Sequence, residues 1–170
     1  MTHAAKPDQL LEKLATDLEN HLDHRGISDP LMVGIHTGGV WLAERLHKML
    51  KLTQPLATLD ISFYRDDFSR IGMNPQVKTS QLPPQVEDCH IILVDDVLQT
   101  GRTIRAAMNE LFDYGRPASI TLACLIERSG RELPIQADVV GQALELEKNE
   151  QIKLTGPDPL AWEIKRTEPK

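Results

Sequence analysis

The sequence predicts an α/β fold, a mostly parallel, twisted sheet flanked by helices. Strand-like runs alternate with helix-like runs along the chain, and that order implies a parallel sheet with both faces covered. Two of the strand-like runs, Ile91 to Val94 and Ile120 to Ile126, are apolar almost without interruption, as strands buried on both faces should be. The length of 170 residues suits a single domain. A chain of this size buries roughly 70% of its unfolded surface and needs no disulfide or metal to fold.

The elements follow in order. Leu10, Leu14, Leu18 and Leu22 recur every four residues with Leu11 beside them, one stripe of an amphipathic helix that Arg25-Gly26 closes. Leu31 to Ile35 is a short apolar strand. His36-Thr37-Gly38-Gly39 turns the chain into a helix from Val40 to Lys51, read through Leu42, Leu46, Met49 and Leu50. Leu59, Ile61 and Phe63 alternate with Asp60, Ser62 and Tyr64, the period of a half-buried strand. Residues 65–87 form a long polar loop, and a loop of that length in a compact domain is usually functional or mobile. Ile91 to Val94 is a strand that ends at Asp95-Asp96. Gln99 to Thr103 is a turn, Ile104 to about Tyr114 a helix, and Gly115-Arg116-Pro117 its stop. After the strand Ile120 to Ile126, Pro134, Gly141, Gly156, Pro157 and Pro159 punctuate short, less regular segments.

Composition narrows the function classes. A formal charge of -6 argues against bulk attraction to nucleic acid or anionic membrane. No apolar run approaches the ~20 residues of a membrane span. Met1 to Gln9 is polar, without a signal peptide's apolar core, so the expected location is the cytoplasm. The two cysteines, Cys89 and Cys124, read as free thiols in a reducing compartment, and no set of metal ligands stands at close spacing. Aromatic residues are only 4%, too few for a single-stranded nucleic-acid platform, and Trp41 and Trp162 read as packing residues.

One stretch concentrates chemistry: Ile91-Ile92-Leu93-Val94-Asp95-Asp96-Val97-Leu98-Gln99-Thr100-Gly101-Arg102-Thr103. It reads as a buried strand, two carboxylates, a tight turn and a helix start. The turn would aim N–H groups and hydroxyls at one centre with a helix N-terminus behind, which suits a phosphate. Gly101 permits close backbone approach. Asp95 and Asp96 would repel phosphate but accept hydrogen bonds from sugar hydroxyls and orient a hydrated cation. Together these features spell a ribose 5-phosphate. The plainer reading of the aspartates alone is a solvated pair at a strand end.

The segment resembles the signature of the type I phosphoribosyltransferases. No Walker loop occurs. Tyr64-Arg65-Asp66-Asp67, the segment above, Gly115-Arg116-Pro117 and Arg131-Glu132-Leu133-Pro134-Ile135 occur together and in order. In that combination the chain resembles the bacterial pyrimidine operon regulator / uracil phosphoribosyltransferase family, over roughly residues 8–155.

The resemblance implies a single phosphoribosyltransferase domain over 1–170, with a flexible loop at about 65–83. It also implies a small C-terminal hood, about 127–145 plus the C-terminal segment. It implies transfer of the sugar of phosphoribosyl pyrophosphate (PRPP), bound with Mg2+, to uracil, giving uridine monophosphate and pyrophosphate. Asp95 and Asp96 would hold the ribose hydroxyls and steady the metal through PRPP, beside Val97 and Leu98. Gln99, Thr100, Gly101, Arg102 and Thr103 would complete the 5-phosphate turn. Thr37, Gly38 and Gly39 match the pyrophosphate loop, whose plainer reading is a strand-to-helix turn. Arg65 would reach the pyrophosphate, or else pair with Asp66 or Asp67 on the surface. The loop through Lys78 resembles a flap that closes and excludes water. Ile135 and Val140 would cover the base, or belong to the core. The implied partners are PRPP, uracil and uridine nucleotides, in a homodimer or homotetramer, with no DNA and no membrane.

The chain departs from the family at several positions. His36 and Gly38 stand where basic residues are usual. Gln99 stands where close relatives are aromatic and the purine-salvage branch is acidic, and glutamine is no general base, so base deprotonation is unassigned. The first helix carries Glu12, Asp17 and Glu19, and Ser129-Gly130-Arg131, Gln136, Glu145 and Glu147 stand where RNA-binding relatives are more basic. Specific RNA binding is therefore expected to be weak or absent. Two other readings stay open: a nucleotide-sensing regulator with weak catalysis, and a purine-base phosphoribosyltransferase.

Overall fold

The computed structural model describes residues 3–61, 82–83 and 86–168. Helix α1 (Pro7–His24) buries the predicted leucine stripe, Leu10, Leu14, Leu18 and Leu22. Strand β1 (Leu31–Ile35) is buried throughout and leads into α2 (Gly38–Met49), which begins two residues earlier than predicted. Strand β2 is Ala57–Leu59. It stops where the predicted strand was to begin. Asp60, expected on the solvent face, is buried at 7% exposure beside the buried Ile61. Ser62, Phe63 and Tyr64 lie outside the described residues, as do Arg65, Asp66, Asp67 and Lys78.

Strand β3 (His90–Leu98) is longer than its apolar run. It does not end at the aspartates; Asp95, Val97 and Leu98 all stay in register with the next strand of the sheet. After α3 (Arg102–Asp113), β4 (Ser119–Arg128) pairs with β3 along nearly its whole length. The region predicted as an irregular hood contains a fifth sheet strand, β5 (Val139–Leu144), parallel to β4. The chain then forms an antiparallel hairpin of β6 (Glu150–Thr155) and β7 (Ala161–Arg166).

The main sheet has the order β2-β1-β3-β4-β5, and every pairing in it is parallel. From β1 the chain steps outward to β2. From β3 it steps the other way to β4 and β5. The crevice between β1 and β3 is therefore a topological switch point, where the connections leaving the strand ends part and a ligand can enter.

Alternation along the strands divides the core. Met32, Ile92, Val94, Ala123 and Leu125 pack under α1, α2 and the hairpin, with Leu14, Leu18, Leu42, Leu46, Ile152 and Leu154. Val33, Ile35, Ile91, Leu93, Leu122 and Cys124 face the other way and pack with Ile104, Ala107 and Leu111 of α3. The expected apolar-on-both-faces strands are thus the middle layer of three. Trp41 and Trp162 pack against the first of these clusters, in keeping with their reading as packing residues.

Candidate functional site

The site grows out of the ends of β1 and β3. At the end of β1 the chain passes through a cis peptide between His36 and Thr37. Thr37 is the N-cap of α2, yet its hydroxyl makes no capping bond and is free for other work. The next two residues must be small. A Cβ on Gly38 would overlap the Asp96 carboxylate, and one on Gly39 would come within 2.5 Å of the Val94 carbonyl oxygen. These glycines therefore serve the contact between α2 and β3, whatever else passes over them. Their absence of side chains lets the first turn of the helix lie on the strand that carries the aspartates.

Asp95 and Asp96 are oriented by the backbone of β3 itself. The Asp96 N–H donates to Asp95 Oδ1 at 2.9 Å, and the Val97 N–H donates to Asp96 Oδ1 at 2.8 Å. Asp95 is only 6% exposed. Its register partner on β4 is Cys124, whose thiol is buried. Burial first, and then the charges of Asp95, Asp96 and Glu127, push that thiol's pKa well above its ordinary value. Cys124 is thereby held as a neutral packing group and not as a nucleophile.

A cleft of about 500 Å³ opens over this point. Thr37, Gly38, Asp95, Asp96, Val97 and Thr103 line it, so six of the predicted site residues come together. His36, Trp41 and Lys153 line it too. Trp41 comes from α2, and Lys153 comes from β6 far along the chain. Neither was assigned a ligand role from sequence. The signal for Lys153 was present: Gln151-Ile152-Lys153-Leu154-Thr155 alternates as a strand does, but nothing local says which element it faces.

The 99–103 turn, expected from sequence to hold a phosphate, forms the next stretch of the same sheet edge. Gly101 is the N-cap of α3 with φ +94°, a conformation that favours glycine. The Thr100 hydroxyl accepts the Arg102 N–H at 3.1 Å. The Thr100 carbonyl accepts N–H groups from Glu132 and Leu133, at 3.0 and 3.1 Å, so the 131–135 segment braces the turn. Arg102 pairs with Glu132, Nε to Oε1 at 3.0 Å, with both side chains about half exposed. Leu98, Gln99 and Ile135 line a second recess of about 330 Å³ with Arg128 and Gly130. Val140 does not line it; it sits on β5 opposite Cys124, and its carbonyl accepts a bond from Lys13 Nζ.

Arg128 closes this end of the site. Its guanidinium is buried and donates to three carbonyls: Ser129 at 3.2 Å, Glu150 at 2.7 Å and Glu147 at 3.3 Å. Burial lowers its pKa, and the nearby Glu150 carboxylate opposes that shift. The side chain thus ties the last turn of β4 to the start of β6.

The carboxylate pair can be tested against Mg2+. Among the described residues no group of three or more His, Cys, Asp or Glu side chains could enclose a metal ion. Two hard carboxylates facing a roomy cleft fit Mg2+, which keeps most of its water and shares oxygens with a substrate's phosphates. The donor set fits an ion that arrives with a substrate better than a resident one. Among the described residues, no helix is long and apolar enough to cross a membrane.

A five-stranded parallel sheet with paired carboxylates and a glycine-capped turn at its switch point defines an α/β protein with its cleft at the strand ends. Residues 6–159 match the phosphoribosyl transferase domain family, and the chain belongs to that family. It is 62% identical over 164 residues to the "Bifunctional protein PyrR" of Nitrosococcus oceani, covering 95% of this chain and 93% of that one. It is 60% identical to the protein of the same name from Pseudomonas paraeruginosa, over 96% of each chain. Solved structures share the fold at low identity. A hypoxanthine-guanine phosphoribosyltransferase from Bacillus anthracis superposes with a TM-score of 0.64 at 16% identity, over 85% of this chain and 83% of that one. A purine phosphoribosyltransferase from Pyrococcus horikoshii superposes with a TM-score of 0.60 at 24% identity, over 81% and 82%.

Proposed function

We propose that this phosphoribosyltransferase converts uracil and PRPP to uridine monophosphate and pyrophosphate in the cytoplasm, as a homodimer or homotetramer. The observation that carries the reading is the convergence of the Asp95-Asp96 pair with the Thr37-Gly38 turn and Thr103 in one cleft at the sheet's switch point. In the transfer, a uracil nitrogen bonds to the sugar's C1, the C1–pyrophosphate oxygen bond breaks, and the base loses its proton. Asp95 and Asp96 accept the ribose hydroxyls, the 99–103 turn holds the 5-phosphate, and the base lies toward Gln99 and Ile135. Mg2+, brought with PRPP, would offset charge on the leaving pyrophosphate. Arg65 belongs to this proposal as a pyrophosphate contact. Relatives of about 60% identity named PyrR, together with the resemblance to the pyrimidine operon regulators, favour a pyrimidine role over a purine one, although the purine enzymes share the fold.

A regulatory role beside catalysis is the second reading, and the word "bifunctional" in the relatives' name favours it. A coupled assay with PRPP, Mg2+ and a panel of bases separates the readings. Uridine monophosphate formed from uracil, with little product from hypoxanthine or guanine, is expected. Product only from the purines would refute the uracil assignment. Tight uridine nucleotide binding without turnover would identify a sensor.

A further inference from the structure

We infer that Lys153 is a cationic contact for the pyrophosphate end of the substrate, in addition to the Arg65 contact proposed above. The inference rests on the reading of the cleft as a PRPP site. The cleft carries two carboxylates, Asp95 and Asp96, and a pyrophosphate entering it needs fixed positive charge to offset them. Among the described residues lining the cleft, Lys153 is the only lysine or arginine. Arg102 does not line it and is paired with Glu132.

The lysine is held by a rigid element. Its neighbours on β6, Ile152 and Leu154, are buried in the core that α1 and α2 share. The hairpin is fastened at several points. Arg128 binds the Glu147 and Glu150 carbonyls, Arg45 Nη2 donates to the Pro157 carbonyl at 2.7 Å, and Trp162 Nε1 donates to the Ala5 carbonyl at 2.9 Å. Gly156 lies so close to the Trp41 ring that a Cβ there would come within 2.9 Å of it. Lys153 makes no ion pair among the described residues, and its cross-strand neighbour Glu163 is matched instead by Lys165 at 3.4 Å. Its ammonium is therefore available, on an element packed against α2, the helix that begins at the 36–38 turn. A flexible, compact cation at that place suits a leaving group whose charge grows during transfer.

The test compares the wild-type chain with Lys153→Ala and Lys153→Arg. Two measurements are made: steady-state kinetics with uracil and PRPP, and calorimetric titration with Mg2+-pyrophosphate and, separately, with uridine monophosphate. For Lys153→Ala the KM for PRPP and the dissociation constant for pyrophosphate should each rise about tenfold, the worth of one charged hydrogen bond. Lys153→Arg should recover most of that loss. Uridine monophosphate, which lacks the pyrophosphate, should bind within about twofold of wild type. Pyrophosphate affinity unchanged in Lys153→Ala, or absent in the wild type, would overturn the inference. A wild type that binds pyrophosphate but transfers no sugar would sink the enzymatic reading alone, and the titration would still decide Lys153.

Discussion

At the scale of single residues, the two glycines of the 36–39 turn show how packing and chemistry share a position. Sequence alone suggested that they let a ligand approach the backbone. The structure adds that Gly38 and Gly39 are forced by their own neighbours, the Asp96 carboxylate and the Val94 carbonyl. A methyl group at position 38 must displace one of the site's two carboxylates. Gly38→Ala should therefore cost about 1–3 kcal/mol of stability as overpacking does. It should cost activity more heavily, about a hundredfold, because a misplacement near 1 Å at the reacting centre is that expensive. Thermal unfolding and the uracil assay measure the two effects. A variant as active as wild type would show that Asp96 can move without harm. The strand, turn and helix start that carry the aspartates, Thr100 and Gly101 were legible from sequence because they are contiguous there. Lys153 was not, because its place in the cleft depends on a contact across more than half the chain; Trp41, one turn of α2 past Gly38, read only as a packing residue.

At the scale of elements, local periodicity served well where one signal dominated. The four-residue leucine spacing marks α1, and the unbroken apolar run marks β1. It failed where two signals competed. The alternation from Leu59 to Tyr64 suggested a half-buried strand; among the described residues β2 ends at its first position, Leu59, and Asp60 is buried, while Ser62 to Tyr64 lie outside them. β5 was missed because Gly141, Gln142 and Ala143 give it little strand character; its place comes from pairing with β4. The hairpin, likewise, owes its position to distant contacts, Arg128 among them. Arg128→Met should keep the side chain's bulk while removing three donors to backbone carbonyls. The expected cost is about 1–3 kcal/mol, that of acceptors left poorly satisfied. Urea unfolding would report it, and hydrogen exchange should show the amides of β6 and β7 losing protection before those of β1 and β3.

At the scale of the whole molecule, charge is distributed as the sequence suggested. Lys13 on α1 is engaged with Asp17 at 3.1 Å and with the Val140 carbonyl, so it adds little free positive charge to that helix. Beside the 99–103 turn, Glu132, Glu145, Glu147 and Glu150 line a further recess of about 640 Å³ against Arg128, Arg131 and Lys148. A polyanion laid across this face would meet more carboxylates than cations. Binding to a pyrimidine-leader RNA hairpin should accordingly be weak, and its affinity should fall only gently as salt rises. A gel-shift titration at two salt concentrations decides the matter; tight binding with a steep salt slope would contradict it. The relatives' bifunctional name makes the measurement worth doing, since a second activity would then require another surface.

The hairpin also sets an order of assembly. A ribosome delivers β1, β3 and both turns of the site well before it delivers β6, and domains can begin to fold as they emerge. Until residues 150–166 arrive, the groove between α2 and the aspartates lacks one wall, and Ala5 lacks the indole that anchors it. A nascent chain would hold its carboxylates in place without the means to retain a substrate. Completion of the cleft thus waits on the hairpin, with Ala5 stitched to β7.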